Sequence, residues 1–234
     1  WHAVTLLSGS AYLLWSVTRT VYIRRKQSSA MADLIGFSDI KLQLINGKLG
    51  YYSLPLPIPA AFTTGLLSPK IYVTTALKER VNEQELDIII RHEMAHVEAR
   101  DPMYKVVFAI FAAFFPTTAT RELIKQFTLL TEQMADSSVT KEYDNLDVAQ
   151  TLINVARIQR GVDSMHNNMG WDGLQTSYFG NDQTSVRVQS LIRPVMSSSR
   201  LAMGFAIILF ASAPLLTAST VDSLHHIIET FFTH

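Results

Sequence analysis

The stretch whose residues are best suited to catalysis contains two histidines four positions apart, His92 and His96, with Glu93 directly after the first. On an α-helix these histidines share a face and lie about 6 Å apart along the axis, so both imidazoles can bind one metal ion. Glu93 is poorly placed to be a ligand but can reach a water on the metal. Zinc lowers the pKa of such a water to about 7, and the carboxylate takes its proton as the water attacks a carbonyl. The alternative is a solvated helix face that contains histidine by chance.

A catalytic zinc usually needs a third protein ligand and leaves its fourth position open for water. The chain has no cysteine, so a metal must be held by His, Asp or Glu. Glu132 is a candidate, and Asp136 lies four positions later on the same predicted helix face. If Glu132 binds zinc, Asp136 can accept the ring N–H of a ligand histidine, for which we expect His92. Asp101 either plays the same role at the end of the first helix or begins the turn before Pro102.

Two further groups of residues are candidates for binding the substrate. The first group is a predicted edge strand, which can accept an extended peptide by backbone pairing. It consists of Ala61, Phe62, Thr63, Thr64 and Gly65. The alternative is that these residues form an internal strand. A donor near the metal would stabilise the negative charge that develops on the attacked carbonyl. The candidates are His166, Tyr178 and Arg187, each with a structural or surface role as the alternative.

The elements that must position these residues indicate an α+β fold, with a small antiparallel sheet followed by helices. Four stretches alternate or are rich in β-branched and aromatic residues, and they predict two strand pairs. They read "DIKLQLI", "LGYYSLPLPIP", "AFTTGLL" and "KIYVTTAL". Asn82 with Glu85 resembles a capping box and starts a helix that stops near Asp101 and Pro102. Further helices are predicted near 106–115, 120–139 and 144–160, with Gly161 as a stop and a loop over 161–182.

The composition favours a membrane protein, since 48% of the residues are hydrophobic and only 17% are charged. Twenty basic and twenty acidic side chains cancel, so no overall field indicates nucleic acid as a partner. The apolar runs at 3–23 and 201–218 are about long enough to span a bilayer, and a buried core helix is the alternative for each.

The basic residues that flank the two runs face the region between them, which the positive-inside rule places in the cytoplasm. They are Arg24, Arg25, Lys26, Arg193 and Arg200. The expected organisation is a spanning helix with its basic flank at 1–26, a metallopeptidase domain at 27–200, a second span at 201–218 and an extracytoplasmic tail at 219–234. We expect a bacterial inner membrane, and a chain that is a fragment of a longer protein.

Residues 60–192 resemble the membrane-embedded gluzincin peptidases, most of all the M56 family of the BlaR1/MecR1 antirepressors. The resemblance is carried by "AFTTGLLSPKIYVTTALKERVNEQELDIIIRHEMAHVEARD", "EQMAD" and "SVRVQSLI". "AFTTG" and "MAD" are also similar to the M48 family of HtpX and the CAAX-processing proteases. The resemblance implies one Zn2+ held by His92, His96 and Glu132, with Glu93 as the base and Asp136 supporting a ligand.

This resemblance implies a membrane-bound zinc endopeptidase that cuts a protein or peptide substrate, in regulatory proteolysis or self-cleavage. Arg187 matches an arginine of the family's downstream helix. One alternative is a membrane signal transducer in which the zinc site is structural or regulatory. Another is a membrane-anchored helical domain that binds no metal.

Overall fold

The computed structural model describes residues 41–45, 49–166 and 181–193, and several positions between 11 and 36, of which residues 14–23 are helical. No helix within these residues combines the length and the apolar character needed to cross a bilayer. The second predicted span and the tail, 201–234, lie outside the described residues, as do residues 1–10 of the first. The predicted membrane organisation therefore stays a prediction.

The strands of the described region form one mixed sheet with the order β1-β2-β4-β3. They are β1 (Lys41–Ile45), β2 (Leu49–Leu54), β3 (Ala61–Thr64) and β4 (Lys70–Thr74). β1 pairs with β2, and β3 with β4, in the antiparallel direction, whereas β2 and β4 run parallel. The α+β prediction is confirmed, but the prediction of a purely antiparallel sheet is wrong. Pro55, Pro57 and Pro59 lack N–H donors, so the chain leaves the sheet after β2. It returns as β3 on the far side of β4.

Six helices of the described region follow the sheet in the chain. They are α1 (Thr75–Lys78), α2 (Glu83–Glu98), α3 (Asp101–Ala112), α4 (Thr117–Val139), α5 (Asn145–His166) and α6 (Asn181–Ile192). The predicted capping box is present at the start of α2. The Asn82 side chain accepts the Glu85 N–H at 2.8 Å, and the Glu85 carboxylate accepts the Asn82 N–H at 3.0 Å. Two of the four unpaired N–H groups at this helix end are thereby satisfied.

Helix α5 is longer than predicted, because Gly161 does not end it and the helix continues to His166. A glycine inside a helix costs only about 1 kcal/mol relative to alanine, which neighbouring turns can tolerate. A glycine typically ends a helix by adopting a positive φ. Among the described glycines Gly65 has a positive φ and Gly161 does not. Residues 161–166 and 181–182 of the predicted loop are therefore helical, and residues 167–180 lie outside the described residues.

Two residues, Ala99 and Arg100, connect α2 to α3, and Arg100 has a left-handed conformation. Arg100 has φ 53° and ψ 36°, and it directly precedes Asp101, the first residue of α3. Pro102 follows in the first turn of α3, where the missing N–H costs no helical hydrogen bond. The reversal at Arg100 brings the start of α3 back alongside the last turn of α2.

Helix α2 is the central element of the core. One buried cluster joins it to the sheet and α5, and its members are Tyr51, Ala61, Ile71, Val73, Leu77, Leu86, Ile89, Ile90 and Val155. A second cluster joins it to α4, α5 and α6, through Ile88, Val139, Val148, Ala149, Leu152 and Leu191. Because α2 is packed from several sides, its side chains are held in fixed positions.

We expect Ile90→Ala to cause a large loss of stability, because Ile90 lies in the core and is 0% exposed. We expect the free energy of unfolding in urea to fall by about 2–5 kcal/mol, from lost burial and the cavity left behind. Ile192→Ala is the matched control, because that side chain is 57% exposed and the change should cost less than about 0.5 kcal/mol. Equal losses in the two variants would contradict this packing.

Helix α3 is apolar on more than one side. It buries Ala109 and Ala112 but exposes Tyr104 and Val107. Within the described residues, α3 is therefore only partly covered.

Candidate metal centre

Two side chains of α2 and one of α4 converge on a single point. His92, His96 and Glu132 each offer a ligand atom, and these atoms all lie within 4.8 Å of one another. The Nε2 atoms of the two histidines are 3.2 Å apart. Oε2 of Glu132 lies 3.2 Å from Nε2 of His92, and its Oε1 lies 3.6 Å from Nε2 of His96. The structure thus brings together the three ligands expected from the sequence, although they come from two separate helices.

A buried aspartate contacts the Nδ1 atom of each imidazole, on the side of the ring away from Glu132. Nδ1 of His92 lies 3.0 Å from Oδ1 of Asp136, and Nδ1 of His96 lies 2.6 Å from Oδ2 of Asp101. Because an ionised carboxylate can only accept a hydrogen bond, each Nδ1 must be the donor. Each neutral imidazole then turns the lone pair of its Nε2 toward Glu132. Asp101 therefore supports His96 as well as beginning α3.

The arrangement fits a bound zinc ion. Two nitrogen lone pairs at 3.2 Å and a carboxylate repel one another unless a positive charge lies between them. The edge of a zinc tetrahedron with ligand bonds of 2.0–2.1 Å is about 3.3 Å, close to the nitrogen separation. Two histidines and one glutamate are also a known ligand set of catalytic zinc, and the aspartates orient the rings as such sites require.

The pKa shifts of these groups have the same cause, the attraction between buried groups of opposite charge. Burial lowers the pKa of His92, but hydrogen bonds with Asp136 and Glu132 outweigh it and raise that pKa above the usual value. Burial also lowers the pKa of His96, whereas hydrogen bonds with Asp101 and Glu132 raise it to about 10. Burial raises the pKa of Glu132, yet the two histidines bring it well below its usual value. Glu132 thus stays ionised and favours a cation beside it, either protons on the imidazoles or a metal ion.

Arg187 of α6 contacts the carboxylates of both Asp136 and Glu132. Its Nε and Nη2 donate to Asp136 at 2.8 and 2.7 Å, and its Nη1 lies 3.3 Å from Glu132. The residue is only 2% exposed. The sequence suggested Arg187 as a donor to substrate, but these contacts describe a residue that holds Asp136 and Glu132 in place. Tyr178 and the side chain of His166, the other candidates, lie outside the described part of the chain.

Glu93 is buried and is held by the neighbouring sheet. It is 4% exposed, and the hydroxyl of Thr63 donates to its Oε2 at 2.8 Å. Thr63 belongs to β3, which lies at the edge of the sheet, as the substrate-binding interpretation requires. Gly65 ends this strand at φ 114°, where an added Cβ would lie 2.6 Å from the carbonyl oxygen of Ser68. Any larger residue at position 65 would therefore strain the end of the edge strand.

Two contacts at the site could not be found from the sequence. Lys105 of α3 places its Nζ 3.4 Å from Oε1 of Glu132, and its side chain is 30% exposed. The bond between Thr63 and Glu93 joins residues thirty positions apart. Neither pair has a characteristic spacing, so only the packing of α2 against β3 and of α3 against α4 reveals them.

Several known proteins are similar to parts of this chain. "Protease HtpX homolog" from Moorella thermoacetica is 38% identical over 68 residues, which is 28% of this chain and 21% of that protein. "Protease HtpX" from Legionella pneumophila (strain Corby) is 36% identical over 86 residues, or 36% of this chain and 28% of that protein. "Methicillin resistance mecR1 protein" from Staphylococcus aureus (strain Mu50) is 31% identical over 64 residues, or 27% of this chain and 11% of that protein. The matches therefore cover less than a third of each of these proteins.

A family model decides between the two families that the sequence resembles. The model of "Peptidase family M48" matches residues 19–167, which include β1 to β4, the helix of His92 and His96, and Glu132. The sequence analysis placed this family second, and its preferred M56 assignment is not confirmed. Since the matched residues are more than half of the chain, the protein belongs to peptidase family M48.

Proposed function

We propose that this protein is a zinc-dependent endopeptidase that hydrolyses peptide bonds of a protein substrate. The observation that carries the proposal is the convergence of His92, His96 and Glu132 within 4.8 Å. Glu93, a potential general base, is adjacent in sequence to the first of these ligands and is buried in the same helix. Membership of a peptidase family supports the same chemistry.

The proposed mechanism divides the work among the residues of the site. A bound zinc ion would supply Lewis acidity toward the scissile carbonyl and a water of lowered pKa. His92, His96 and Glu132 would hold the ion, and Asp136 and Asp101 keep the imidazole rings in the required tautomer. Glu93 would take a proton from the attacking water and pass it to the nitrogen of the leaving amine.

The edge of the sheet supports an extended peptide as the substrate. The edge strand β3 can pair with a peptide backbone, which gives affinity without selecting side chains.

The proposal includes attachment to a bacterial inner membrane with the catalytic domain on the cytoplasmic side. It is supported by the apolar runs at 3–23 and 201–218 and by the basic residues on their inner flanks. Regulatory proteolysis or self-cleavage is the proposed biological role, as the resemblance of residues 60–192 to membrane-embedded gluzincin peptidases implies.

Metal removal and restoration test the proposal on the full chain in detergent. Protein purified without chelators should contain one zinc ion per chain and cleave an unfolded protein such as casein or its own chain. Chelation should abolish cleavage, and added zinc should restore it. Stoichiometric zinc without cleavage of either substrate would favour a transducer with a structural zinc. The absence of bound zinc would instead favour a domain that binds no metal.

A further inference from the structure

We propose that Thr63 is a positioning residue that holds the carboxylate of Glu93 in its reactive orientation and couples it to the strand that binds the substrate. The inference rests on the proposed function, since it gives Glu93 the role of general base. Thr63 was expected only to offer its backbone to a peptide, whereas the structure places its side chain on the base.

The hydroxyl of Thr63 has one proton and two acceptors within reach. Oε2 of Glu93 lies at 2.8 Å and the backbone carbonyl oxygen of Glu93 at 3.1 Å. The carboxylate is the nearer acceptor and carries charge, and hydrogen bonds to ionised acceptors are the stronger ones. The carbonyl, in addition, lies inside α2, where it faces the N–H four residues later. The hydroxyl of Thr63 therefore donates mainly to Oε2 of Glu93, and Oε1 of Glu93 remains available to the attacking water.

The backbone N–H and C=O of Thr63 lie in the plane of the sheet and point toward its edge, where the described residues place no further strand. The N–H of Thr74 donates to the carbonyl of Ala60 at 2.9 Å, just before β3 begins. Hydrogen-bonded and non-bonded pairs alternate along antiparallel strands, so Phe62 also bonds to β4. The N–H and C=O of Thr63 are then directed away from β4, where an added strand would find them. One residue thus offers its backbone to the substrate and its side chain to the base.

This double contact has a consequence for catalysis. A peptide that pairs with Thr63 fixes the strand, and the hydroxyl transmits this fixed position to Glu93. Without the hydroxyl, the carboxylate can rotate about its side-chain bonds and is less often aligned with the water. Small displacements of a catalytic group are costly, and the turnover number should fall by roughly ten- to a hundredfold. Affinity should change little, because the backbone contacts of β3 are kept.

Three variants of the full chain test the inference. Thr63→Val keeps the β-branched shape and removes the hydroxyl, and Thr63→Ser keeps the hydroxyl and removes the methyl group. Thr140→Val is the matched control, since its hydroxyl bonds only to the carbonyl of Ser137 at the end of α4 among the described residues. For each, kcat and KM are measured on one peptide substrate, together with zinc content and the urea midpoint.

The expected result is a lowered kcat for Thr63→Val with KM and zinc content near those of the wild type, recovery in Thr63→Ser, and no effect in Thr140→Val. A wild-type kcat in Thr63→Val would overturn the inference. So would a loss of zinc or stability that accounts for the lower kcat, or a serine variant as slow as the valine one. If the wild type cleaves with zinc and only these results fail, the proposed function still stands. If the wild type neither binds zinc nor cleaves, the proposed function itself has failed.

Discussion

Glu93→Gln is expected to abolish peptide cleavage while the protein keeps its zinc. Glutamine has the shape of glutamate and can still accept the hydrogen bond from Thr63, but it cannot take a proton from water at neutral pH. General base catalysis typically contributes 10²–10⁴-fold, so kcat should fall by about that factor or below detection. Zinc content should not change, because Glu93 is not among the converging ligands.

The control for this variant is Glu98→Gln, the same substitution on an exposed residue of the same helix. It should cleave as the wild type does. If Glu93→Gln cleaved at the wild-type rate, the proposed mechanism would be wrong. If a zinc-dependent signalling output were kept in Glu93→Gln, the protein would act as a transducer rather than through proteolysis.

His96→Ala is expected to lose the metal altogether. The variant removes one of three ligands and leaves the buried carboxylate of Asp101 without its partner at 2.6 Å. Loss of a residue that merely supports a ligand costs 10–100-fold in metal affinity, so loss of the ligand should cost more than about a hundredfold. Metal analysis after dialysis should find zinc in the wild type and none in the variant, and cleavage should vanish with it.

Glu98→Ala shortens a side chain two residues further along the same helix and should keep its zinc. This comparison separates a lost ligand from a general effect of alanine in α2. Equal zinc in His96→Ala and the wild type would show that the metal is held elsewhere, and it would remove the basis of the proposed function.

The helix that carries the site could be predicted because local signals define it. Asn82 and Glu85 are three positions apart and form their two hydrogen bonds within one turn, whatever the rest of the chain does. The spacing of His92 and His96 fixes their common face in the same way. The position of Glu132 followed from its partner Asp136 at i+4, another spacing that a single helix enforces.

The remaining features depend on contacts between distant parts of the chain. The parallel pairing of β2 with β4 arises because β3 and β4 return to the sheet as a hairpin, and no local pattern encodes the side on which they return. The length of α5 depends on how much its neighbours stabilise the turns beyond Gly161. Arg187 was predicted as a candidate donor near the metal, but its contacts with Asp136 and Glu132 depend on the packing of α6 against α4.

The left-handed conformation of Arg100 between α2 and α3 brings Asp101 to His96 only when five residue positions separate them. One residue inserted after Arg100 and kept in α3 would turn every following side chain of that helix by about 100° relative to α2. The carboxylate of Asp101 would then swing away from the imidazole that it now contacts at 2.6 Å. This five-residue interval should therefore tolerate exchanges of amino acids but no change in its length.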